Sequence, residues 1–424
     1  MIETPGPDEA ELAAILGESS VRSVYQPIIE LDSGRAVGYE ALARGPEGSP
    51  LERPDRLFSV ARACGRLADL DWACRAAAVT AALEARLTPQ HALFVNVEPE
   101  ALGTPCPEAF EEVWSRAHRE LRVVVEVTER ALTARPAELL AALRKFRERG
   151  WGVAVDDIGA DTRSLALMPL LRPDVIKLDL RLVQQRPTTG IAAIVTAVNA
   201  QRERTEAVIL AEGIETERHL DTARAMGATL GQGWLFGRPG PLPVPLPVPP
   251  RPVPVADRSL HVAGSTPYQV VRRLREMRRG DKRLLLSMSL LLESQAVSLG
   301  HEAVIVGAFQ HAERFTPTTH RRYTALATDA AFVGALGVDM DPRPAPGVRG
   351  ATLAPDDPLL GEWSVIVLGP HFAGALVAVD LGDEGPDMER RFDFTLTYER
   401  ELVVEAANSL MRRVVPLGER EQSL

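Results

Sequence analysis

The segments Val124-Val125-Glu126-Val127-Thr128-Glu129 and Val153-Ala154-Val155-Asp156-Asp157 decide the fold of this chain. Each is an apolar, β-branched run that predicts a buried strand, and each ends in carboxylates. Such strands carry negative charge to the rim of a sheet. Because neighbouring carboxylates repel one another and raise each other's pKa, a divalent cation is their natural partner. The two segments therefore predict a metal-dependent site on the rim of a barrel.

The first 240 residues alternate strand-like and helix-like segments. The predicted strands are 24–30, 36–42, 92–97, 123–127, 152–157, 175–178, 208–211 and 229–236. The predicted helices are 55–86, 107–121, 136–149, 180–202 and 217–226. Repeated strand–helix units indicate parallel strands with right-handed crossovers, and eight strands favour an α/β fold of the TIM type, a (β/α)8 barrel. Only the hairpin-length segment 31–35 separates the first two strands, so the predicted barrel is modified by one antiparallel strand.

Composition limits the classes of protein that this chain can belong to. Its 424 residues predict two or three domains, and 45% hydrophobic with 25% charged residues is typical of a globular protein. The net charge of −10 argues against non-specific binding to a nucleic acid polymer or a membrane surface. We predict neither a signal peptide nor a membrane-spanning segment. Three scattered cysteines, Cys64, Cys74 and Cys106, lack zinc-ligand spacing and fit a cytoplasmic location.

A proline-rich stretch over residues 240–256 divides the chain. Alternate prolines cannot donate backbone hydrogen bonds to a helix or a sheet, so this stretch predicts a semi-rigid, extended linker. It separates a barrel over 21–239, with an N-terminal extension over 1–20, from a second globular region over 257–416 with a tail over 417–424.

The second region predicts a mixed α/β domain of the size of a sensor. Its predicted elements are an amphipathic helix over 266–279, strands over 304–309, 331–336, 363–368 and 375–381, and a closing helix over 402–413. The basic residues between Arg272 and Arg283 are interpreted as one solvated helix face, and a role in binding an anionic ligand or a nucleic acid is the less favoured alternative.

Polar side chains stand at the ends of the predicted barrel strands, where parallel barrels carry their catalytic groups. They are Glu40 with Arg44, Asn96, Glu126, Asp156 with Asp157, Lys177, Glu212 with Glu215, and Gln232. Carboxylate and amide oxygens suit Mg²⁺ or Mn²⁺ rather than zinc. Such a set can serve one or two metal ions that activate water for phosphoryl displacement, with Lys177 and Arg44 offsetting the charge of an anionic substrate.

Eight short motifs follow one another along residues 21–239. They are Gln26-Pro27, Glu40-Ala41-Leu42-Ala43-Arg44, Leu93-Phe94-Val95-Asn96, Glu126-Val127-Thr128-Glu129, Asp156-Asp157, Lys177-Leu178-Asp179, Ala211-Glu212-Gly213-Ile214-Glu215-Thr216 and Gln232-Gly233-Trp234-Leu235-Phe236. In this order they resemble the EAL-domain cyclic-di-GMP phosphodiesterases. One such motif arises readily by chance, whereas eight in family order form a specific signal.

The resemblance implies a role for each of these residues. It assigns metal ligands Glu40, Asn96, Glu126, Asp156 and Asp157, catalytic residues Lys177, Glu212 and Glu215, substrate-binding residues Gln26, Arg44 and Gln232, and a loop anchor, Glu129. Lys177 would contact the attacking water, and Glu212 would act as general base or as a ligand of the second metal. The implied reaction hydrolyses cyclic-di-GMP to linear pGpG with Mg²⁺ or Mn²⁺. Calcium would inhibit it, and the protein would be a homodimer.

One loop departs from the family pattern. After Asp157 the chain reads Ile158-Gly159-Ala160-Asp161-Thr162-Arg163-Ser164-Leu165, where the family usually has Phe-Gly-Thr-Gly-Tyr-Ser-Ser-Leu. In the family this loop borders the metals and the dimer interface. The departure leaves open a second function, that of a non-hydrolytic cyclic-di-GMP receptor. A third, a protein-interaction scaffold without nucleotide binding, is disfavoured by the intact Gln26, Arg44 and Gln232.

The second region resembles the DICT sensory domain. The resemblance rests on Ser287-Met288-Ser289, Phe309-Gln310, Glu362-Trp363 and the closing helix. It implies an input domain that responds to an unknown signal or protein partner and biases the barrel across the linker.

Overall fold

Eight mainly apolar strands form a closed barrel in the computed structural model, which describes residues 6–161, 163–256 and 266–415. The strands are β1 (Arg22–Glu30), β2 (Arg35–Arg44), β3 (Ala92–Asn96), β4 (Arg122–Thr128), β5 (Gly152–Ile158), β6 (Val175–Leu178), β7 (Val208–Ala211) and β8 (Leu230–Gly231). Strands β2 to β8 run parallel, whereas β1 is antiparallel to both β2 and β8. The predicted barrel with one antiparallel strand is confirmed.

The helices of the first domain surround this barrel. They are α1 (Pro7–Gly17), α2 (Pro54–Ala63), α3 (Leu67–Glu84), α4 (Glu108–Glu120), α5 (Glu129–Ala134), α6 (Pro136–Glu148), α7 (Ser164–Leu171), α8 (Leu180–Gln184), α9 (Thr189–Thr205) and α10 (Glu217–Ala225). Two predicted helices, 55–86 and 180–202, are each split in two. Gly65, with a φ of 65°, follows the end of α2, and Pro187 lies between α8 and α9, where it lacks the amide hydrogen that a continuous helix needs.

The predicted strand over 229–236 is wrong beyond Gly231. At Gly233 the chain turns with a φ of 156° and packs against the backbone of Ile214. A Cβ atom at Gly233 would lie 2.1 Å from the Ile214 carbonyl oxygen, so the turn requires glycine. The turn leaves Gln232 at the barrel rim.

Residues 240–256 cross the N-terminal mouth of the barrel. Backbone hydrogen bonds of 2.6 and 3.0 Å join Gly240 to Tyr25 on β1. The Arg251 guanidinium donates to Glu30 at 2.6 Å, and Val253 packs into the apolar cluster at the base of the barrel. The stretch between the two domains is therefore fixed along the barrel rather than spanning open solvent.

The second domain is a seven-stranded mixed sheet with helices on both faces. In the order β12-β11-β10-β13-β14-β15-β9, its strands are β9 (Arg278–Asp281), β10 (Val304–His311), β11 (Phe332–Val338), β12 (Arg349–Thr352), β13 (Glu362–Leu368), β14 (Ala373–Asp380) and β15 (Arg391–Thr397). Its helices are α11 (Pro267–Val271), α12 (Lys282–Leu299), α13 (Pro317–Asp329) and α14 (Arg400–Met411). Apolar residues of α12 and α13 share one core cluster, and those of α11 and α14 belong to the cluster on the opposite face. A second mixed α/β domain was predicted, and it is confirmed.

The predicted helix over 266–279 is wrong. Helix α11 ends at Val271, and the chain then enters the edge strand β9. Arg278 and Arg279 therefore lie on a strand rather than on a solvated helix face, and Arg279 pairs with Asp393 of β15 at 3.3 Å. Local amphipathic pattern was overridden here by pairing with a distant strand.

Helix α14 docks the second domain onto the barrel. One apolar cluster extends from α7 of the barrel into α14. The Asn408 side-chain amide donates to the Leu170 carbonyl oxygen at 3.2 Å, and Arg172 lies 2.5 Å from both Glu401 and Glu405. Among the described residues, no helix combines the length and apolar character needed to cross a bilayer.

Candidate metal-dependent active site

Lys177 lies at the centre of the barrel rim. Its ammonium nitrogen is 2.7 Å from Glu126, 2.9 Å from Glu212, 3.1 Å from Asp156 and 3.7 Å from Glu40. The lysine side chain is 0% exposed. Each of these side chains comes from the end of a different strand, because parallel strands bring their C-terminal ends to one rim. The structure thus brings together five of the residues that the sequence predicted.

Amide side chains fix Glu40 on the other side of the rim. The Asn96 Nδ2 donates to Glu40 Oε1 at 3.2 Å, and Gln232 Nε2 donates to Glu40 Oε2 at 2.6 Å. Gln232 Nε2 also donates to Gln26 Oε1 at 3.0 Å. Gln26 lies directly opposite Glu40 in the antiparallel β1–β2 pair, so both side chains point into the barrel.

Asp157 joins the cluster through an irregular backbone. In a regular strand, adjacent side chains point to opposite faces, so Asp156 and Asp157 could not converge. Asp157 instead has a φ of 57°, and the register of β5 against β6 shifts between Val155 and Ile158. Carboxylate oxygens of Asp156, Asp157 and Glu212 consequently lie within 4.8 Å of one another, a spacing that can hold a metal ion.

A cavity of about 280 Å³ opens beside these carboxylates. Its walls include Gln26, Glu40, Glu212, Glu215 and Gln232. Trp234 lies at its mouth, 53% exposed, with the Arg238 guanidinium 4.0 Å from the ring centroid. The predicted catalytic and substrate-binding residues, apart from Arg44 and Lys177, therefore line one cavity.

Comparison with known families places this site in a known domain. The family model of the EAL domain matches residues 9–239, more than half of the chain. The chain belongs to the EAL domain family. A second family model, that of the sensory domain in diguanylate cyclases and two-component systems (DICT), matches residues 268–381.

Named relatives of the EAL domain include two proteins of Pseudomonas aeruginosa. The cyclic di-GMP phosphodiesterase NbdA is 30% identical over 55% of this chain and 31% of its own length. The cyclic di-GMP phosphodiesterase RocR is 30% identical over 55% of this chain and 61% of its own length. The chain thus spans less than two thirds of either relative. The solved manganese/cy-diGMP complex of Klebsiella pneumoniae BlrP1 is 29% identical over 52% of this chain and 56% of that chain, with a TM-score of 0.46.

The electrostatics of the EAL site show an excess of negative charge. Burial raises the pKa of Glu126 well above its usual range, and the nearby Glu40 raises it further. Burial likewise raises the pKa of Glu212 to about 8, against the opposing effect of Lys177. Burial alone would lower the pKa of Lys177, but the surrounding carboxylates together raise it well above its usual range. Five carboxylates with one lysine form an oxygen-rich, anionic site, and this donor set fits one or two hard divalent cations.

Arg44 is placed apart from this cluster. Its side chain donates to the carbonyl oxygen of Ala43 at 2.7 Å and lines a separate cavity of about 220 Å³ with Asn96 and Glu98. Glu129 begins α5, but its side chain lies outside the described part of the structure. Glu215 is exposed, and its backbone amide donates to His219 Nδ1 at 3.3 Å.

Sequence reasoning assigned no role to Trp234 and Arg238 of the EAL domain. Trp234 belongs to a quoted motif, yet only the structure shows its ring exposed at the cavity mouth. A large aromatic side chain two residues after a rim glutamine is the signal that could have found it.

Proposed function

We propose that the protein hydrolyses cyclic-di-GMP to linear pGpG with Mg²⁺ or Mn²⁺, under the control of its C-terminal domain. The observation that carries the proposal is the convergence of four carboxylates within 3.7 Å of Lys177, with Asp157 beside them, on the rim of an EAL barrel. The names of the relatives, both cyclic di-GMP phosphodiesterases, support this choice of substrate.

The rim residues divide into two sets of ligands. Glu40, Asn96, Glu126 and Asp156 would hold one cation, and Asp157 would join Asp156 at a second. Bound Mg²⁺ or Mn²⁺ would act as a Lewis acid on the phosphate and lower the pKa of a bound water. We expect Ca²⁺ to bind but to inhibit, because its longer bonds and variable coordination fit the reaction geometry poorly.

The protein's own side chains would orient and deprotonate the water. The Lys177 ammonium would donate a hydrogen bond to the water oxygen, and Glu212, whose Oε1 lies 2.9 Å from the lysine nitrogen, would accept the proton. The water oxygen would form a bond to one phosphorus, and the bond from that phosphorus to the ribose O3′ would break. O3′ would leave with the proton that Glu212 took from the water, so that ring opening gives pGpG. Glu215, on the same cavity wall, would support Glu212.

The cavity would bind the dinucleotide. Gln26 and Gln232 offer amide groups to phosphate and base oxygens, and Trp234 offers an exposed ring for stacking on a guanine. Arg44 would reach the substrate only from the neighbouring cavity, where its guanidinium can offset phosphate charge.

Control by the C-terminal domain would pass through α7. Only residues 158–163 separate Asp157 from this helix, and its described apolar side chains are at most 1% exposed because α7 lies between the barrel and α14. A movement of α14 would therefore displace α7 and the loop that carries Asp161 and Arg163. The signal itself, a homodimeric state and a cytoplasmic location remain predictions.

A phosphodiesterase assay tests the proposal. The full-length protein is incubated with cyclic-di-GMP and Mg²⁺, Mn²⁺ or Ca²⁺, and pGpG is quantified. We expect turnover with Mg²⁺ or Mn²⁺, and Glu40→Ala should lower it by at least about 100-fold because a metal ligand is lost. Glu47→Ala, whose side chain is 87% exposed, is the matched control and should keep full turnover.

The same assay addresses the alternative function of a non-hydrolytic receptor. The changed loop after Asp157 favours it, since Asp161 and Arg163 replace uncharged residues of the family pattern and are both exposed. Binding of cyclic-di-GMP without pGpG formation under every metal would select the receptor and reject the enzyme.

A further inference from the structure

A cavity of about 390 Å³ lies in the second domain, on the face of the sheet that carries α12 and α13. This face is opposite to the one that α14 joins to the barrel. Its volume is in the range of small-molecule sites. We propose that this cavity is a binding site for a small aromatic anion, a ring that bears a carboxylate or similar group.

Aromatic side chains form one wall. Phe309 lies at the end of β10, Trp363 on β13 and Phe392 on β15. The Trp363 and Phe392 rings meet edge to face, with centroids 5.7 Å apart and an interplanar angle of 73°. Such a wall can pack against the faces and edges of a planar ligand.

Three cations meet a single carboxylate on a second wall that adjoins the first, with the Arg390 guanidinium 5.7 Å from the Phe392 ring centroid. Lys282 from the start of α12 contacts Asp387, Arg314 lies 2.8 Å from it, and Arg390 lies 3.3 Å from it. Arg390 also pairs with Asp380. Because Lys282 and Arg314 share the Asp387 carboxylate, this wall can accept a further negative charge.

Asp387 is itself replaceable. It lies in the connection between β14 and β15, and 51% of its side chain is exposed. By contrast, Arg322 and Glu293 form a closed pair at 2.7 Å deeper in the same cavity, with the Glu293 side chain only 7% exposed. We infer that Asp387 occupies the position of the ligand's anionic group and that Arg322 is not available to it.

The two walls together define the class of ligand. The rings require an apolar, planar portion, and the Lys282–Arg314 pair requires a negative charge at one end. The cations that line the cavity, Lys282, Arg314, Arg322 and Arg390, outnumber its carboxylates, Glu293, Glu313 and Asp387. On balance a cationic ligand would be repelled, and a neutral ligand would gain only the aromatic contacts.

Calorimetric titration of the full-length protein tests the site. The probes are indole-3-acetate and benzoate as aromatic anions, tryptophol as the neutral counterpart, and tryptamine as the cationic one. We expect an aromatic anion to bind at least about tenfold more tightly than tryptophol, and tryptamine not to bind. Failure of both anions to bind at about 10 mM, or equal binding of tryptophol, would overturn the proposal.

Variants locate the binding in the cavity. Lys282→Ala and Arg314→Ala should each weaken the binding of indole-3-acetate by about tenfold, since a hydrogen bond to a charged group is lost. Arg283→Ala is the matched control, because Arg283 is the next residue on the same helix and does not line the cavity. Leu286→Trp adds bulk to the cavity wall without changing charge and should abolish binding of both the anion and tryptophol.

Asp387→Asn gives a result that misfolding cannot imitate. Removing the internal carboxylate should strengthen the binding of indole-3-acetate by several-fold and leave the affinity for tryptophol unchanged. If this variant binds the anion more weakly than the unaltered protein, or if the Lys282 and Arg283 variants behave alike, the assignment is wrong.

Discussion

At the barrel rim carboxylates surround a cation, whereas in the second-domain cavity cations surround a carboxylate. At the rim, several carboxylates surround Lys177, which is 0% exposed. In the cavity, three cations surround Asp387, which is half exposed. The first arrangement fits bound cations and the second a bound anion. The net charge of −10 for the whole chain indicates neither, because a ligand responds to the side chains within bonding distance.

The largest effect is expected from removal of Lys177, the cation at the centre of the rim. Lys177→Met leaves the rim carboxylates without their internal cation, so the free energy of unfolding should fall by about 3–5 kcal/mol in EDTA. Urea denaturation measures it, and Mn²⁺ should restore part of the loss. Lys145→Met, at an exposed lysine on α6, is the control. Equal stability of Lys177→Met and the unaltered protein in EDTA would show that the carboxylates do not depend on the lysine.

Divalent cations should stabilise the barrel and not the second-domain cavity. At about one hundred times the dissociation constant, Mn²⁺ should add about 2.7 kcal/mol to the free energy of unfolding, and EDTA should reverse the gain. Asp156→Asn should remove most of this effect in thermal melts. Asp387→Asn should retain it, and loss of the effect in that variant would mean that the two sites are not separate.

Glu362 offers a pH test confined to the second domain. Burial raises its pKa to about 7, and its carboxylate accepts from the Tyr268 amide at 3.0 Å. The folded state thus holds a proton that the unfolded state releases at lower pH. The stability that this proton adds is complete below the pKa of Glu362 in the unfolded state and is lost as pH rises towards 7. The pKa rises from 4.5 to about 7, so at about 1.36 kcal/mol per pKa unit the full loss is about 3 kcal/mol, of which about 2 kcal/mol falls between pH 5 and 7.

Glu362→Gln cannot ionise, so its stability should fall less than that of the unaltered protein between pH 5 and 7. Urea denaturation at the two pH values gives the difference. Parallel curves for the two proteins would remove Glu362 as the source of the pH dependence.

The smallest effect is expected at the contact between the domains. Arg172→Ala removes the cation 2.5 Å from Glu405, a side chain only 11% exposed, and should cost about 1–2 kcal/mol of stability. Because Arg172 follows α7 directly, pGpG turnover should change as well. Arg116→Ala, which breaks an exposed pair with Glu120 on α4, should leave both nearly unchanged. If the two variants change stability and turnover equally, α14 is not coupled to the rim.

Much of the barrel site could be predicted from local sequence. Glu126 and Lys177 each end an apolar strand, and parallel strands deliver such ends to one rim, so period and strand order suffice to bring them together. The antiparallel β1 also followed from a connection too short for a crossover. The functional role of every rim residue remains a prediction. The structure exposes Glu215 and places Arg44 in a neighbouring cavity.

By itself, the sequence determined the barrel, its antiparallel strand and the acidic rim, because each depends on residues close together in the chain. Only the tertiary structure decided that Asp157 turns towards Asp156, that residues 240–256 lie along the barrel, and that Lys282, Arg314 and Arg390 meet at Asp387. Those features depend on a local break in strand geometry or on contacts between segments far apart in sequence. No repeating pattern of side chains encodes such contacts, since packing and charge select them only once the elements have assembled.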